Sequence, residues 1–307
     1  MRKPVKTLDG HKDTINSIVV SSDGKLLVSA GHDGIINLWD LTEFSLLDTI
    51  NISGLIYEVV LTPDNRFLAS AGSNNKINLW KFPQLEHMGE FIGHTDAPVC
   101  LEVVEDGKIL ISGGLDNSVR YWSIPDGRLI QTISEHEGSV DCLALQDKEY
   151  LITAYDEDIK LWPYGIHPDR DNYEFIFYDM PWEGVTTLKG HDSLVYSLRI
   201  TPDGWNLVSG GADNTVIVWD LEKRKLLKTL EGHGGWVYDL AFISDGKTLI
   251  TAAGDGYIIY WSLPGGKPIK SFKAHDRSVK TILITHDGEN LVSAGEDRLI
   301  KIWELDS

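Results

Sequence analysis

Apolar and β-branched residues along this chain fall into short runs set apart by turn chemistry, and the runs recur in sets of four. The clearest set begins after Leu188. Val195 to Ile200 is a first apolar run, closed by Thr201-Pro202-Asp203-Gly204, in which Pro presets φ and Gly tolerates φ > 0. Asn206 to Gly210 is a second run, Asp213-Asn214 a second turn, Thr215 to Trp219 a third run and Leu226 to Leu230 a fourth. Runs of this length between turn signals predict antiparallel strands joined by hairpins. A four-stranded sheet of this kind cannot cover both of its faces from within, so each copy needs a neighbour on either side.

Copies are counted from the Trp that ends the third run, six residues after an acidic or amide residue. The pairs are Asp33/Trp39, Asn74/Trp80, Asp116/Trp122, Asp156/Trp162, Asp213/Trp219, Asp255/Trp261 and Asp297/Trp303. The Trp spacing is 40 to 42 residues, except for 57 between Trp162 and Trp219. Gly-His opens units at Gly10-His11, Gly93-His94, Gly190-His191 and Gly232-His233, relaxes to Glu135-His136 and Ala274-His275, and is lost at Asn51-Ile52. Trp-Asp survives as Trp39-Asp40 and Trp219-Asp220.

Seven such units in phase resemble the WD40-repeat family from end to end of the chain. The resemblance implies an all-β, seven-bladed β-propeller with four antiparallel strands per blade. It also implies that the N-terminal strand, read as Val5 to Leu8, completes a last blade that otherwise stops one strand short after Trp303. Residues 1–307 are therefore expected to form one closed domain, with an insertion at 163–184 in the fourth blade.

His191/Ser209/Asp213 has the composition of a catalytic triad, as do His11/Ser29/Asp33, His94/Ser112/Asp116, His275/Ser293/Asp297 and, with Thr, His233/Thr251/Asp255. An active site normally occurs once, whereas this set repeats with the blades. The family resemblance implies a buried network linking His, hydroxyl, Asp and Trp, and no catalytic role is expected. The second unit, with Ile52 and Asn74, breaks the pattern, and the fourth has a shorter, tighter turn between Thr153 and Asp156.

The same resemblance implies that three positions per blade face out at the top of the ring: the third and fifth residues after the His, and the residue before the Asp. These positions supply the expected partner-binding set, which comprises Leu55, Tyr57, Leu115, Asp141, Tyr155, Leu194, Tyr196, Trp236, Tyr238, Lys280 and Glu296. Aromatic residues at such a mouth are the types that dominate interface hot spots. The expected function is a non-catalytic scaffold or adaptor that binds a partner peptide or loop. The alternatives are an architectural subunit held through the blade flanks and the 163–184 loop, and an enzyme with a channel-mouth site built on His32, Asp141, Glu296 or Lys280.

Charge narrows the class of partner. Lys and Arg number 28 against 46 Asp and Glu, a formal net charge of −18. That surface disfavours nucleic acid and anionic membrane and favours a basic or apolar protein segment. No run approaches a transmembrane span, and the start carries basic residues without an apolar h-region, so the expected address is the cytoplasm, with the nucleus as alternative. Cys100 and Cys142 read as core thiols. Neither a phosphate loop nor zinc spacing occurs, so no cofactor is expected. His167, Asp169 and Asp171 lack the glycine and distal Glu of a calcium loop. The connection from Pro163 to Gly184 is expected to fold its aromatics onto the blade flank or to offer a second docking surface. The chain itself is expected to be a monomer that joins a larger complex.

Overall fold

A computed structural model describes residues 2–134, 136–146, 150–163, 184–263 and 265–305. The described strands form seven four-stranded antiparallel sheets. In the fifth, strands Val195–Ile200, Asn206–Gly211, Thr215–Asp220 and Lys225–Glu231 lie side by side in chain order. The T-P-D-G hairpin closes as its chemistry predicts. Gly204 takes φ 78, its N–H donates to Thr201 O at 2.8 Å, and Thr201 Oγ1 donates to Asp203 Oδ1 at 2.6 Å.

The innermost strand of each blade is Ile15–Val20, Ile56–Leu61, Pro98–Val104, Cys142–Gln146, Val195–Ile200, Val237–Phe242 or Val279–Ile284. Each touches the two beside it and the last returns to the first, so the blades form a ring around a central channel. Closure uses both ends of the chain. The N-terminal strand Lys6–Asp9 pairs antiparallel with Leu299–Glu304, placing Leu8 opposite Ile300, so the seventh blade gains its outer strand.

The hydrophobic core is correspondingly divided into seven layers, each between two neighbouring blades. Across the closure, Leu8, Ile300 and Ile302 of the seventh blade meet Ile15, Leu27 and Trp39 of the first. Burial on both faces explains why the middle strands read as nearly continuous apolar runs rather than as alternating ones. Cys100 and Cys142 are buried free thiols. Their sulfurs face the carbonyls of Val140 and Val195 in the next blade, at 3.4 and 3.6 Å.

In five blades the recurring His, hydroxyl, Asp and Trp form one chain of hydrogen bonds. In the fifth, Trp219 Nε1–H donates to Ser209 Oγ at 2.8 Å, Ser209 Oγ meets His191 Nε2 at 2.7 Å, and His191 Nδ1 meets Asp213 Oδ2 at 2.8 Å. An imidazole that donates from Nδ1 to Asp accepts from the hydroxyl at Nε2, so both buried ring nitrogens are satisfied. Ser209, Ser29, Ser112, Ser293 and Thr251 are all 0% exposed. No substrate reaches these hydroxyls, and the networks bind the third strand and its turn to the connection from the preceding blade.

The second and fourth blades depart as their sequences require. Blade two keeps only Trp80 Nε1–H on Ser70 Oγ at 3.0 Å. In blade four Tyr155 pairs with Asp158, which leaves a two-residue turn in which Asp156 takes φ 48. His136 still reaches Thr153 Oγ1 at 2.8 Å, but among the described residues its Nδ1 has no partner. Burial, with Lys160 nearby, pushes His136 down to about 3.

Candidate partner-binding site at the channel mouth

The fifth residue after the His lies beside a bulge at the start of each innermost strand that holds it, and turns toward the channel. In the fifth and sixth blades the register skips Tyr196 and Tyr238, between Val195/Ser197 and Val237/Asp239. Both therefore stand on the mouth of a cavity of about 610 Å³ that runs down the ring axis, with Tyr57, Asp141 and Lys280 among its other lining residues. Tyr196 and Tyr238 have ring centroids 5.1 Å apart. Trp236, third after its His, stands at 5.8 Å from Tyr196 and 6.2 Å from Tyr238, and is 49% exposed. Three rings from two blades thus form one surface, with the large apolar face of Trp236 open to solvent.

Lys280 and Glu296 of the seventh blade join this surface from one side. Lys280 Nζ lies 3.4 Å from the centroid of the Tyr238 ring and 3.6 Å from Glu296 Oε1. Burial lowers the Lys280 ammonium against the pull of Glu296, and raises Tyr238 to about 12. Asp141 flanks the other side. Its charge adds to the burial that raises Tyr196. Leu194 is half-buried in the connection, its carbonyl taking the N–H of Ala212 at 2.7 Å.

The remaining positions are spread around the ring. Tyr57 meets His32 edge to face at 6.4 Å. Leu55 is half-buried, its N–H donating to Ser73 Oγ at 2.9 Å, and Leu115 is 38% exposed on the third blade. Tyr155 corrects the expectation of an outward-facing residue, because it is only 7% exposed. The shortened turn of blade four draws it into the ladder opposite Asp158, and its ring lies 6.2 Å from His136 with Lys160 Nζ 4.7 Å from its centroid. Trp205, at the opposite end of the fifth blade, is 63% exposed. The insertion, with His167, Asp169 and Asp171, lies outside the described residues apart from Pro163 and Gly184. Among the described residues no cluster of His, Cys, Asp and Glu has the arrangement of a metal site.

Below the mouth the channel carries charges that the three-position reading does not reach. Arg199 pairs with Asp239 at 3.2 Å. The other carboxylate oxygen of Asp239 accepts from Ile282 N at 2.9 Å and Thr281 Oγ1 at 3.2 Å, joining the fifth, sixth and seventh blades. Glu58 spans to the third blade, its Oε2 accepting from Leu101 N at 2.5 Å. The signal was visible as a charge inside an apolar run: Ile56-Tyr57-Glu58-Val59-Val60, Leu101-Glu102-Val103-Val104 and Leu198-Arg199-Ile200.

Glu58 is enclosed by the ring yet open to the channel lumen. Burial pushes its carboxyl up to about 8, with Glu102 and Asp239 adding to the rise and Arg199 opposing it. A carboxyl raised in the fold favours folding while it is protonated, and that contribution is lost as pH rises from 4.5 to about 8. Glu58→Gln keeps an acceptor for Leu101 N and cannot ionise. Thermal melts are expected to show wild type and variant nearly alike at pH 5, with the variant more stable at pH 9 by a few kcal/mol, at most about 5. An equal shift at both pH values would contradict this account of Glu58.

The chain belongs to the WD40-repeat family. The model of the WD domain, G-beta repeat, matches residues 2–40, 46–81, 85–123, 127–163, 182–220, 224–262 and 266–304, one match for each blade. Among curated proteins, the chain is similar to the small ribosomal subunit protein RACK1 of Medicago sativa, 43% identical over 51 residues. It is also similar to protein HIRA of Oryza sativa subsp. japonica, 31% identical over 107 residues, and to nuclear distribution protein PAC1 of Candida albicans, 26% identical over 229. These matches take in 17%, 31% and 71% of this chain but only 16%, 10% and 45% of the respective relatives. The family is in general a non-catalytic interaction scaffold.

Proposed function

We propose that this protein is a scaffold or adaptor that grips a peptide or loop of a partner protein across the top of the ring, and that the partner segment is basic or apolar. The observation that carries this reading is the joined surface of Tyr196, Trp236 and Tyr238 at the channel mouth. Rings held against one another lose little entropy on binding, and their burial supplies the large terms typical of hot spots. Leu55, Tyr57, Leu115, Leu194, Asp141, Lys280 and Glu296 form the rim around them; Tyr155 does not belong to the set. The net charge of −18 supports a protein partner over nucleic acid or an anionic membrane. The proposed address is the cytoplasm, with the nucleus second.

Affinity capture with quantitative mass spectrometry on wild type and the Trp236→Ala/Tyr238→Ala double variant tests the site. At about 2 kcal/mol or more for each hot-spot ring, a top-face partner is expected to fall at least 30-fold in recovery. The melting temperature is expected to stay within about 2 °C, because Trp236 is exposed and both residues stand at the mouth, outside the buried apolar layers that join the blades. An unchanged capture profile would move the binding site elsewhere. A second reading, an architectural subunit held by its flanks, draws support from Leu46, Leu47, Met88, Ile92 and Ile269, exposed on the outer strands, and from Trp205.

A further inference from the structure

The position five residues after the His is occupied, in blades four to seven, by Asp141, Tyr196, Tyr238 and Lys280. Around the mouth these give an arc in the order carboxylate, ring, ring, ammonium. The two ends of the arc are not equivalent. At the Tyr238 end the protein supplies its own cation: Lys280 Nζ rests 3.4 Å from the ring centroid, with Glu296 Oε1 at 3.6 Å to balance it. At the Tyr196 end the corresponding cation is missing. Asp141 accepts from Ser139 Oγ at 3.3 Å through both carboxylate oxygens, and among the described residues no Lys or Arg is within ion-pair distance of it. The cation deeper in the channel, Arg199, is engaged by Asp239.

We infer that the empty end of this arc is a socket for an arginine side chain of the bound partner, its guanidinium lying between the carboxylate of Asp141 and the rings of Tyr196 and Trp236. The inference rests on the reading of the mouth as the partner site, and adds to it the chemistry of one residue and its place on the blade-four side. Charge complementarity sets the sign. Asp141 is half-buried, burial pushes its carboxyl up to about 6, and Asp156 adds to the rise, so an approaching cation relieves an existing electrostatic cost. Arginine fits the surroundings better than lysine. A guanidinium stacks on aromatic planes, bonds a carboxylate through two N–H groups, and sheds water more readily than an ammonium on entering a half-buried site. Lys280 fixes the direction: by covering Tyr238 and repelling a second cation, it leaves the Asp141 side as the place where a positive group is stabilised.

The test is selection of a random peptide library on the whole protein, followed by affinity measurement of the enriched peptides and of their Arg→Lys and Arg→citrulline analogues. The expected result is a single enriched arginine. Its replacement by citrulline should weaken binding about 30-fold to wild type, and less than 3-fold to Asp141→Asn. Glu296→Gln is expected to keep the arginine preference, because that carboxylate serves Lys280. Two results overturn the inference while leaving the mouth as the partner site: peptides that lose binding to Trp236→Ala but carry no basic residue, and peptides in which lysine serves as well as arginine. Peptides whose binding is indifferent to Trp236→Ala, Tyr238→Ala and Asp141→Asn alike overturn both.

Discussion

Ser209→Ala is expected to lower the unfolding free energy by about 4 kcal/mol, while the equivalent Ser70→Ala costs about half as much. The two hydroxyls occupy the same place in blades five and two, and both are 0% exposed. Their partners differ. Ser209 Oγ serves His191 Nε2 at 2.7 Å and Trp219 Nε1 at 2.8 Å, so its removal strands one buried acceptor and one buried donor. Ser70 Oγ serves Trp80 Nε1 alone, at 3.0 Å, because Ile52 stands where the other blades have His. An unsatisfied buried polar group costs roughly 1–3 kcal/mol, and the space left by one hydroxyl is too small for a replacement water. Ser209→Thr should retain most of the stability, since Thr251 plays this part in blade six, with His233 at 2.7 Å and Trp261 at 2.9 Å. Denaturant midpoints at unchanged m-value give the comparison. Equal costs in the two blades would contradict the role assigned to the His network.

This contrast also shows why so much of the fold could be read from the residues. The period of the Trp residues and the Asp six positions before each reports a local unit, and local units of one kind leave few ways to cover their faces. Even the exceptions were legible: Ile52 announces a blade without its network, and the short turn before Asp156 announces the tight hairpin that strands His136 Nδ1. Of the candidate site, the juxtaposition of rings was legible, because it depends on equivalent positions of adjacent blades. Tyr196 and Tyr238 are 42 residues apart in the chain and 5.1 Å apart at the mouth.

What escaped depends on register and on side-chain direction. Tyr155 precedes its Asp as Leu115 precedes Asp116, yet the loss of one turn residue pairs it with Asp158 and buries it. That Lys280 spends its charge on Tyr238 and Glu296 follows from how a flexible side chain reaches across a blade boundary, which no spacing encodes. The charges lining the channel lie one to three residues beyond the rim positions along the innermost strands, where the repeat marks no outward-facing place. Glu58, Arg199 and Asp239 sit deeper, where one side chain bonds the next blade's backbone or completes an ion pair across it.

Acid is expected to unfold the protein steeply between about pH 4 and pH 2. Asp33, Asp116, Asp213, Asp255 and Asp297 all sit below the usual carboxylate value. Burial alone would raise each one, but hydrogen bonds from backbone N–H groups and side chains, together with the paired imidazoles, outweigh it, and Asp297 reaches about 2. A carboxylate lowered in the fold contributes stability that is complete above 3.8 and disappears as pH falls through its folded value. For Asp297 that contribution is roughly 2 kcal/mol, and the other four act in the same direction. His136, pushed down to about 3, and His191 and His275, also lowered by burial, act in the same direction beginning near pH 6.5, because the unfolded chain takes up their protons first. Glu58 and Asp141 act in the opposite direction: raised to about 8 and about 6, they become less costly as pH falls from 8 toward 4. These opposing trends partly offset one another between pH 8 and pH 5, and below that stability is expected to fall steeply. Urea titrations at a series of pH values read this profile directly. Asp297→Asn should lose about 2 kcal/mol at pH 7 but only about a third of that at pH 2.5, where the unfolded chain is already protonated and the folded carboxylate is beginning to be. A constant difference between variant and wild type across that range would mean that the turn carboxylates do not carry the acid sensitivity.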